Sequence, residues 1–330
     1  MNKKTLYFLG VVGAVVVVAI SIQRGKSPHA EPLSPSAASK PAVRPSVPVS
    51  QPPSNIVVRA VETRQADDEM AVEKPSVSAA VRCIIGAETS SADRYLVRSR
   101  ALESLGDTLS PAETKTLLSY LASTRDPLRP ERVAALKNDI LNVLRSQKSI
   151  SPNLAPCLIG MFNAKKHDSA ILDYCIQHLG ALQEQLDDPA QLDKIVRCIR
   201  SASLLDKESY SGTALIAMTH QRNPSDDDKA FLRTRTTAIL ENSSAHEAAR
   251  ISAMQIASEN GYVESLPTLR RVAESAAEPL ANRTVAIGAL GTFGEASDVA
   301  LLRKLLAANP NPRLLPALTA AVERIEKREK

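Results

Sequence analysis

Read from Arg250 and again from Arg283, the chain nearly repeats itself. Ala253 returns as Ala286, Met254 as Ile287, Gly261 as Gly294, Leu269 as Leu302 and Val272 as Leu305, and Arg270-Arg271 returns as Arg303-Lys304. A shared offset of about 33 residues over two helix-length stretches is the mark of stacked helical hairpins. No other feature constrains the fold as much. A single hairpin cannot bury its own apolar face, so neighbours must cover one another, and the product is an extended surface suited to holding a partner.

Helix starts recur along the chain with sound chemistry. Ser110-Pro111-Ala112-Glu113 offers a cap, a proline at the first helical position and a glutamate three residues after the cap, so two orphan N–H groups can be satisfied reciprocally. Ser151-Pro152 and Asp188-Pro189-Ala190-Gln191 repeat the device, and Ser225 is followed by Asp226, Asp227 and Asp228, where the helix dipole favours carboxylates. Two more starts fall near Tyr262 and Ala296, so about six hairpins are expected. Between the starts the apolar period is helical: Leu154, Cys157, Leu158, Met161, Phe162; then Ile171, Tyr174, Cys175, His178, Leu179, Leu182; then Leu192, Ile195, Val196, Ile199. The expected fold is an all-α right-handed solenoid. Its first helices are placed near 91–106, 129–148, 168–186, 206–221, 245–260 and 281–293. Its second helices are placed near 110–123, 151–163, 189–201, 225–241, 262–275 and 296–307, with a closing helix from Pro312.

The folded part is confined to the later chain. Nine of the 21 prolines lie between Pro28 and Pro75, and proline both fixes φ and removes a donor. Residues 24–80 therefore read as a disordered Pro/Ser/Ala-rich linker and 81–330 as the repeat domain. Lys3 and Lys4 precede an uncharged run from Thr5 to Ile22, whose roughly 27 Å of helix approaches the ~30 Å hydrocarbon core. Residues 1–23 read as an uncleaved transmembrane signal anchor, with a cleaved signal peptide ending near Ala19-Ile20-Ser21 as the alternative. The short basic N-tail keeps itself inside, so the repeat domain is expected outside the cytoplasm, on the periplasmic side of a bacterial inner membrane.

The stretch Arg283 to Leu306, RTVAIGALGTFGEASDVALLRKLL, resembles the HEAT repeat and its relatives in phycobilin lyases. Leu266-Pro267-Thr268-Leu269 and Ala155-Pro156-Cys157-Leu158 are similar to the proline-leucine step in that family's second helix. The resemblance covers 245–327 well and 90–242 more loosely. It implies a fold and a binding habit with no chemistry attached, and second helices that line a concave face.

Candidate sites follow. Lys194, Arg197, Arg200, Arg233, Arg235, Arg270, Arg271, Arg303 and Lys304 fall on second helices; the resemblance implies a basic ridge on the concave face, which reads either as an ordinary solvated surface or as a docking surface for a partner protein, an acidic one in particular, or an anionic envelope polymer. Asp193, Glu264 and Glu274 dilute it. The formal charge of +5 is modest for 330 residues and argues against nucleic acid, which needs a clustered excess. Cys157, Cys175 and Cys198 come to similar heights on adjacent antiparallel helices, so a disulfide between two of them is compatible with export; three small buried hydrophobes are the alternative. No metal site is expected, because the four cysteines and five histidines lack ligand spacing. His246-Glu247 is similar to the dipeptide that deoxyhypusine hydroxylase repeats to bind two irons, yet it occurs once here. His178 reads as a core histidine and Asp226 to Asp228 as a helix cap. The chain is therefore expected to be a membrane-tethered, non-catalytic scaffold without cofactors. A HEAT-type nucleic-acid or base-excision protein and a lyase-like cofactor chaperone are the alternatives.

Overall fold

Several helices in the chain are capped by side chains the sequence provides for it. The computed structural model describes residues 77–86, 94–308 and 311–330, which are all-helical apart from turns and carry no strand. Fourteen α-helices occur among them: α1 (Ala79–Ile84), α2 (Arg94–Glu103), α3 (Pro111–Ala122), α4 (Pro130–Arg145), α5 (Leu154–Ala164), α6 (Ser169–Gln185), α7 (Pro189–Ser203), α8 (Tyr210–Thr219), α9 (Asp226–Glu241), α10 (Glu247–Asn260), α11 (Leu266–Glu274), α12 (Leu280–Phe293), α13 (Asp298–Ala307) and α14 (Leu315–Arg328). A single 3-10 turn, Val263–Ser265, precedes α11.

Ser110 accepts from the Glu113 N–H while Glu113 bonds back to the Ser110 N–H, completing a capping box at α3. Ser225 and Asp228 do the same at α9, and Asp188 caps α7 through the Ala190 N–H. Each such cap is worth about 1 kcal/mol. Ser151 behaves differently from expectation. Its hydroxyl accepts from the Asn153 N–H and shapes a turn, so α5 starts at Leu154. Asp168, which the sequence reading passed over, caps α6 through the Ile171 N–H.

The even-numbered helices α2 to α14 form one layer, each packed on the next even helix. The odd-numbered helices lie alongside, wedged mostly against the even helix that follows. Small residues set the spacing of the even layer. A Cβ at Gly180 on α6 would stand 2.7 Å from the Ala217 Cβ on α8, one at Gly212 on α8 would stand 2.7 Å from the Ala249 Cα on α10, and one at Gly291 on α12 would stand 2.7 Å from the Ala321 Cα on α14. These glycines let backbones approach more closely than any side chain permits, and they stand one module apart and then two. Between the layers the expected apolar positions are buried: Leu154, Leu158, Met161 and Phe162 of α5, Ile171, Cys175, Leu179 and Leu182 of α6, and Ile195, Cys198 and Ile199 of α7.

Cations close helix ends, where unpaired carbonyls concentrate, and Arg98 and Lys137 among them are buried. The Arg98 Nε on α2 donates to the Ile84 O at the end of α1. The Lys137 Nζ on α4 donates to the Leu121 O at 2.8 Å and the Ser123 O at 2.5 Å, past α3. Arg235 reaches the Ser203 O of α7, and Arg283 reaches the Ala273 O of α11. Arg328 on α14 closes the even helix α12 the same way, through the Thr292 O.

These helices belong to the unit Lys74–Lys330. α1 lies upstream of the first helix anticipated from sequence, straddling the expected boundary at 81. The expected anchor at 1–23 and most of the expected linker fall outside the described residues. Among the described residues no helix is long and apolar enough to cross a membrane.

Candidate interaction surface

The basic residues singled out lie on the odd helices α7, α9, α11 and α13, and most of them are already held by acids. Arg200 on α7 donates to the Asp227 carboxylate at 2.6 Å and lies over the Phe231 ring. Arg233 on α9 takes Glu264 in a bidentate pair, with the Nη2 contact at 2.6 Å. Arg270 on α11 reaches Asp298 at 2.6 Å and Glu295 at 2.8 Å, and Arg303 on α13 reaches Glu326 at 2.5 Å. Each cation thus points forward to an acid of the following module. The row forms a ladder of ion pairs running along the stack, and its positive field is largely cancelled in place.

The pairs differ in strength. Asp298 is buried, and its hydrogen bond lifts the Arg270 guanidinium above its ordinary range. The Arg233 hydrogen bond holds Glu264 below the usual carboxylate range, but that pair is exposed and screened. Arg197 pairs within its own helix with Asp193, and Lys304 lies 4.0 Å from Glu274. Lys194 and Arg271 are exposed and act at longer range on Asp188 and Glu278 respectively. Arg235, read from sequence as part of the ridge, is turned inward onto the Ser203 O and Asp206.

All four cysteines are free thiols. Cys157 on α5, Cys175 on α6 and Cys198 on α7 occupy neighbouring helices as the spacing predicted, and Cys175 senses the charge of both others. Burial pushes Cys175 up to about 12 and Cys198 up to about 11, and raises Cys157 as well. Thiolates are therefore scarce, and thiolates are the reactive form.

His178 is buried, and its Nε2 meets the Asn138 Oδ1 at 3.0 Å. Desolvation, with Arg145 nearby, drops its pKa to about 3, so the ring stays neutral. His246 caps α10: its Nδ1 accepts from the Ala248 N–H and its own N–H donates to the Asp206 O. Among the described residues no three His, Cys, Asp or Glu side chains gather as a metal's ligands would. Two open depressions mark the surface. One of about 340 Å³ lies between α10, α12 and α14, with Glu259 and Arg324 over Met254 and Val285. Another of about 300 Å³ lies where Gln183, Asp187 and Arg222 surround Leu192 and Val196.

Sequence reasoning missed the buried cations Arg98, Lys137 and Arg250 and the half-buried Arg283. Arg250 forms a bidentate pair with Glu278 at 2.6 and 2.8 Å, with 5% of its side chain exposed. The available signal was a charge set among apolar positions of a helix, as Lys137 is set among Ala134, Ile140 and Leu141.

No family model matches the chain, and no curated protein matches it. A solved structure of human deoxyhypusine hydroxylase in complex with glycerol is similar over 76% of this chain and 95% of that one, at 14% identity and a TM-score of 0.32. The match corrects one expectation. The sequence reading excluded catalysis because the resemblance attaches no chemistry and the His-Glu dipeptide occurs once, but the matched protein is an enzyme, so that exclusion does not stand. A superposition this loose in turn assigns no hydroxylase chemistry to this chain.

Proposed function

We propose that the helical array is a scaffold that binds a protein partner along the face carrying α7, α9, α11 and α13. The observation that carries this reading is the in-register row of Arg200, Arg233, Arg270 and Arg303, each pinned by an acid of the next module. Pinned charges at repeat spacing give a rigid, patterned surface, and complementarity to such a pattern supplies specificity more than raw affinity. Attraction toward an acidic partner rests on the cations at its edge, chiefly Lys194 and Arg271.

In this reading the modules are HEAT-like, wind right-handed and present their second helices on the concave side. The proline-rich stretch tethers them to an anchor at residues 1–23, so that the array faces the cell envelope. Fractionation checks the tether: recovery of the full chain in the cytosol, unanchored, would remove that part of the proposal.

The test of the surface follows from the ion pairs. Reversing Arg270 or Arg303 would break contacts inside the array, so the informative variant is Lys194→Glu combined with Arg271→Glu. Crosslinking and pull-down from intact cells should lose the wild-type partner in the double variant while helicity is unchanged. Equal recovery from both proteins would reject the ridge.

A further inference from the structure

Lys165, which ends α5, is the one non-glycine residue with a positive φ among the described residues, at 51°. Glycine is the ordinary occupant of such a helix end, because an L-side chain there crowds its own backbone. A strained lysine persists only where its surroundings hold it, and here the holding group is an aromatic corner. The rings of Phe162 and Tyr210 meet edge to face, 85° apart in plane with centroids at 5.2 Å. The Lys165 Nζ stands 3.3 Å from the Phe162 centroid and 4.4 Å from the Tyr210 centroid, and it donates to the Tyr210 hydroxyl at 3.3 Å. Both rings are buried, at 2% and 4% exposure, whereas Lys165 is an exposed residue. Its side chain thus reaches back from an exposed position to lie against both rings.

We propose that the Phe162–Tyr210 corner is a binding site for alkylammonium groups, kept closed in this structure by the ammonium of Lys165. Two ring faces converging on one cation are the recognition chemistry of quaternary ammonium ligands. A methylated ammonium is less strongly hydrated than a lysine's and gives up less on entering the corner. The plug is also weakly seated: its backbone is strained, and burial pulls the Lys165 amine below the usual lysine range while Cys198 and Glu208 pull it back. A ligand cation in its place would keep Glu208 as a nearby counter-charge.

The experiment titrates the full chain with choline and, separately, with Nε-trimethyl-lysine, by calorimetry and by tyrosine emission, which the absence of tryptophan leaves readable. Wild type should bind either cation weakly. Lys165→Gly, which removes both the strain and the plug, should bind at least tenfold tighter, and adding Tyr210→Leu should abolish the gain. The cation bound more tightly identifies the source of the ammonium. A Lys165→Gly protein of unchanged helicity that binds no better than wild type overturns the proposal, as does equal binding of the neutral isostere 3,3-dimethylbutanol. Should the glycine variant fold poorly, Lys165→Asn, which tolerates the left-handed backbone and cannot span to the rings, decides the question by the same titration.

Discussion

Replacing Gly212 by alanine should destabilise the array, whereas the same replacement at Gly288 should stabilise it. Both residues lie inside helices, so both changes gain the intrinsic preference of alanine over glycine, about 1 kcal/mol. They differ in what the new methyl meets. At Gly212 it would lie 2.7 Å from the Ala249 Cα, 2.9 Å from the Ser252 Oγ and 3.2 Å from the Ala248 O. The nearest atom is backbone, so no rotamer change relieves the clash; α8 and α10 must separate by about 0.7 Å to restore ordinary contact. Overpacking of this kind costs about 1–3 kcal/mol or more, and separating two helices loosens every contact along their interface. The net expectation for Gly212→Ala is a loss of about 1–2 kcal/mol. At Gly288 nothing lies within 4 Å, and the expected change is a gain of about 0.5–1 kcal/mol. Urea unfolding followed by helical circular dichroism measures both, and hydrogen exchange should localise the Gly212→Ala loss to α8 and α10. In a serial stack each interface contributes separately, so protection far from this pair should change little. If Gly212→Ala proved as stable as Gly288→Ala, close backbone approach would not be what sets the repeat spacing.

Three further outcomes follow from the charged and thiol groups. Glu278→Gln should cost about 3 kcal/mol at neutral pH, because Arg250 is left buried without its counter-charge. The Arg250 hydrogen bond lowers the Glu278 pKa, so its contribution is full above the unfolded value of about 4.3 and fades as pH falls through the lower folded value; acid unfolding of the variant should lack that component. Lys137→Met should cost about 1–3 kcal/mol, since the Leu121 O and Ser123 O lose their donor. Burial lowers the Lys137 pKa to about 8, below the unfolded value of about 10.4, so the unfolded chain binds more protons between these values and wild-type stability should rise from pH 8 toward 10, a rise absent in the variant. Native Cys175 and Cys198 should resist alkylation at pH 8 and react in denaturant. Mass spectrometry of the denatured, unreduced protein should then find four free thiols; a bridged pair among Cys157, Cys175 and Cys198 would show that they oxidise despite their burial.

What the sequence made legible was whatever depends on local chemistry and on period. Ser110 with Glu113 and Ser225 with Asp228 announce helix starts because the capping groups lie within three residues of each other, and the structure places both boxes there. The run from Leu154 to Phe162 shows its buried face because a helix returns to the same side every three to four residues. Ser151-Pro152 misled by three residues because a turn and a cap use the same hydroxyl chemistry. α1 went unseen because six residues hold too few turns for a period to register.

The basic ridge was harder to read for a different reason. On one helix, a surface cation awaiting a partner and a cation bonded to the next module look alike, since sequence periodicity reports only the face on which a residue lies. The distinction needs the second repeat. Arg200 pairs with Asp227, Arg233 with Glu264, Arg270 with Asp298 and Arg303 with Glu326, separations of 27, 31, 28 and 23 residues, each a little less than one module. In a stacked array, an acid somewhat short of one period downstream of a cation lies across the interface from it. Read by that rule, four of the nine ridge residues are assigned to contacts between modules from sequence alone. In the proposed scaffold, Lys194 and Arg271, whose charge faces solvent, then become the positions on which recognition of a separate molecule would rest.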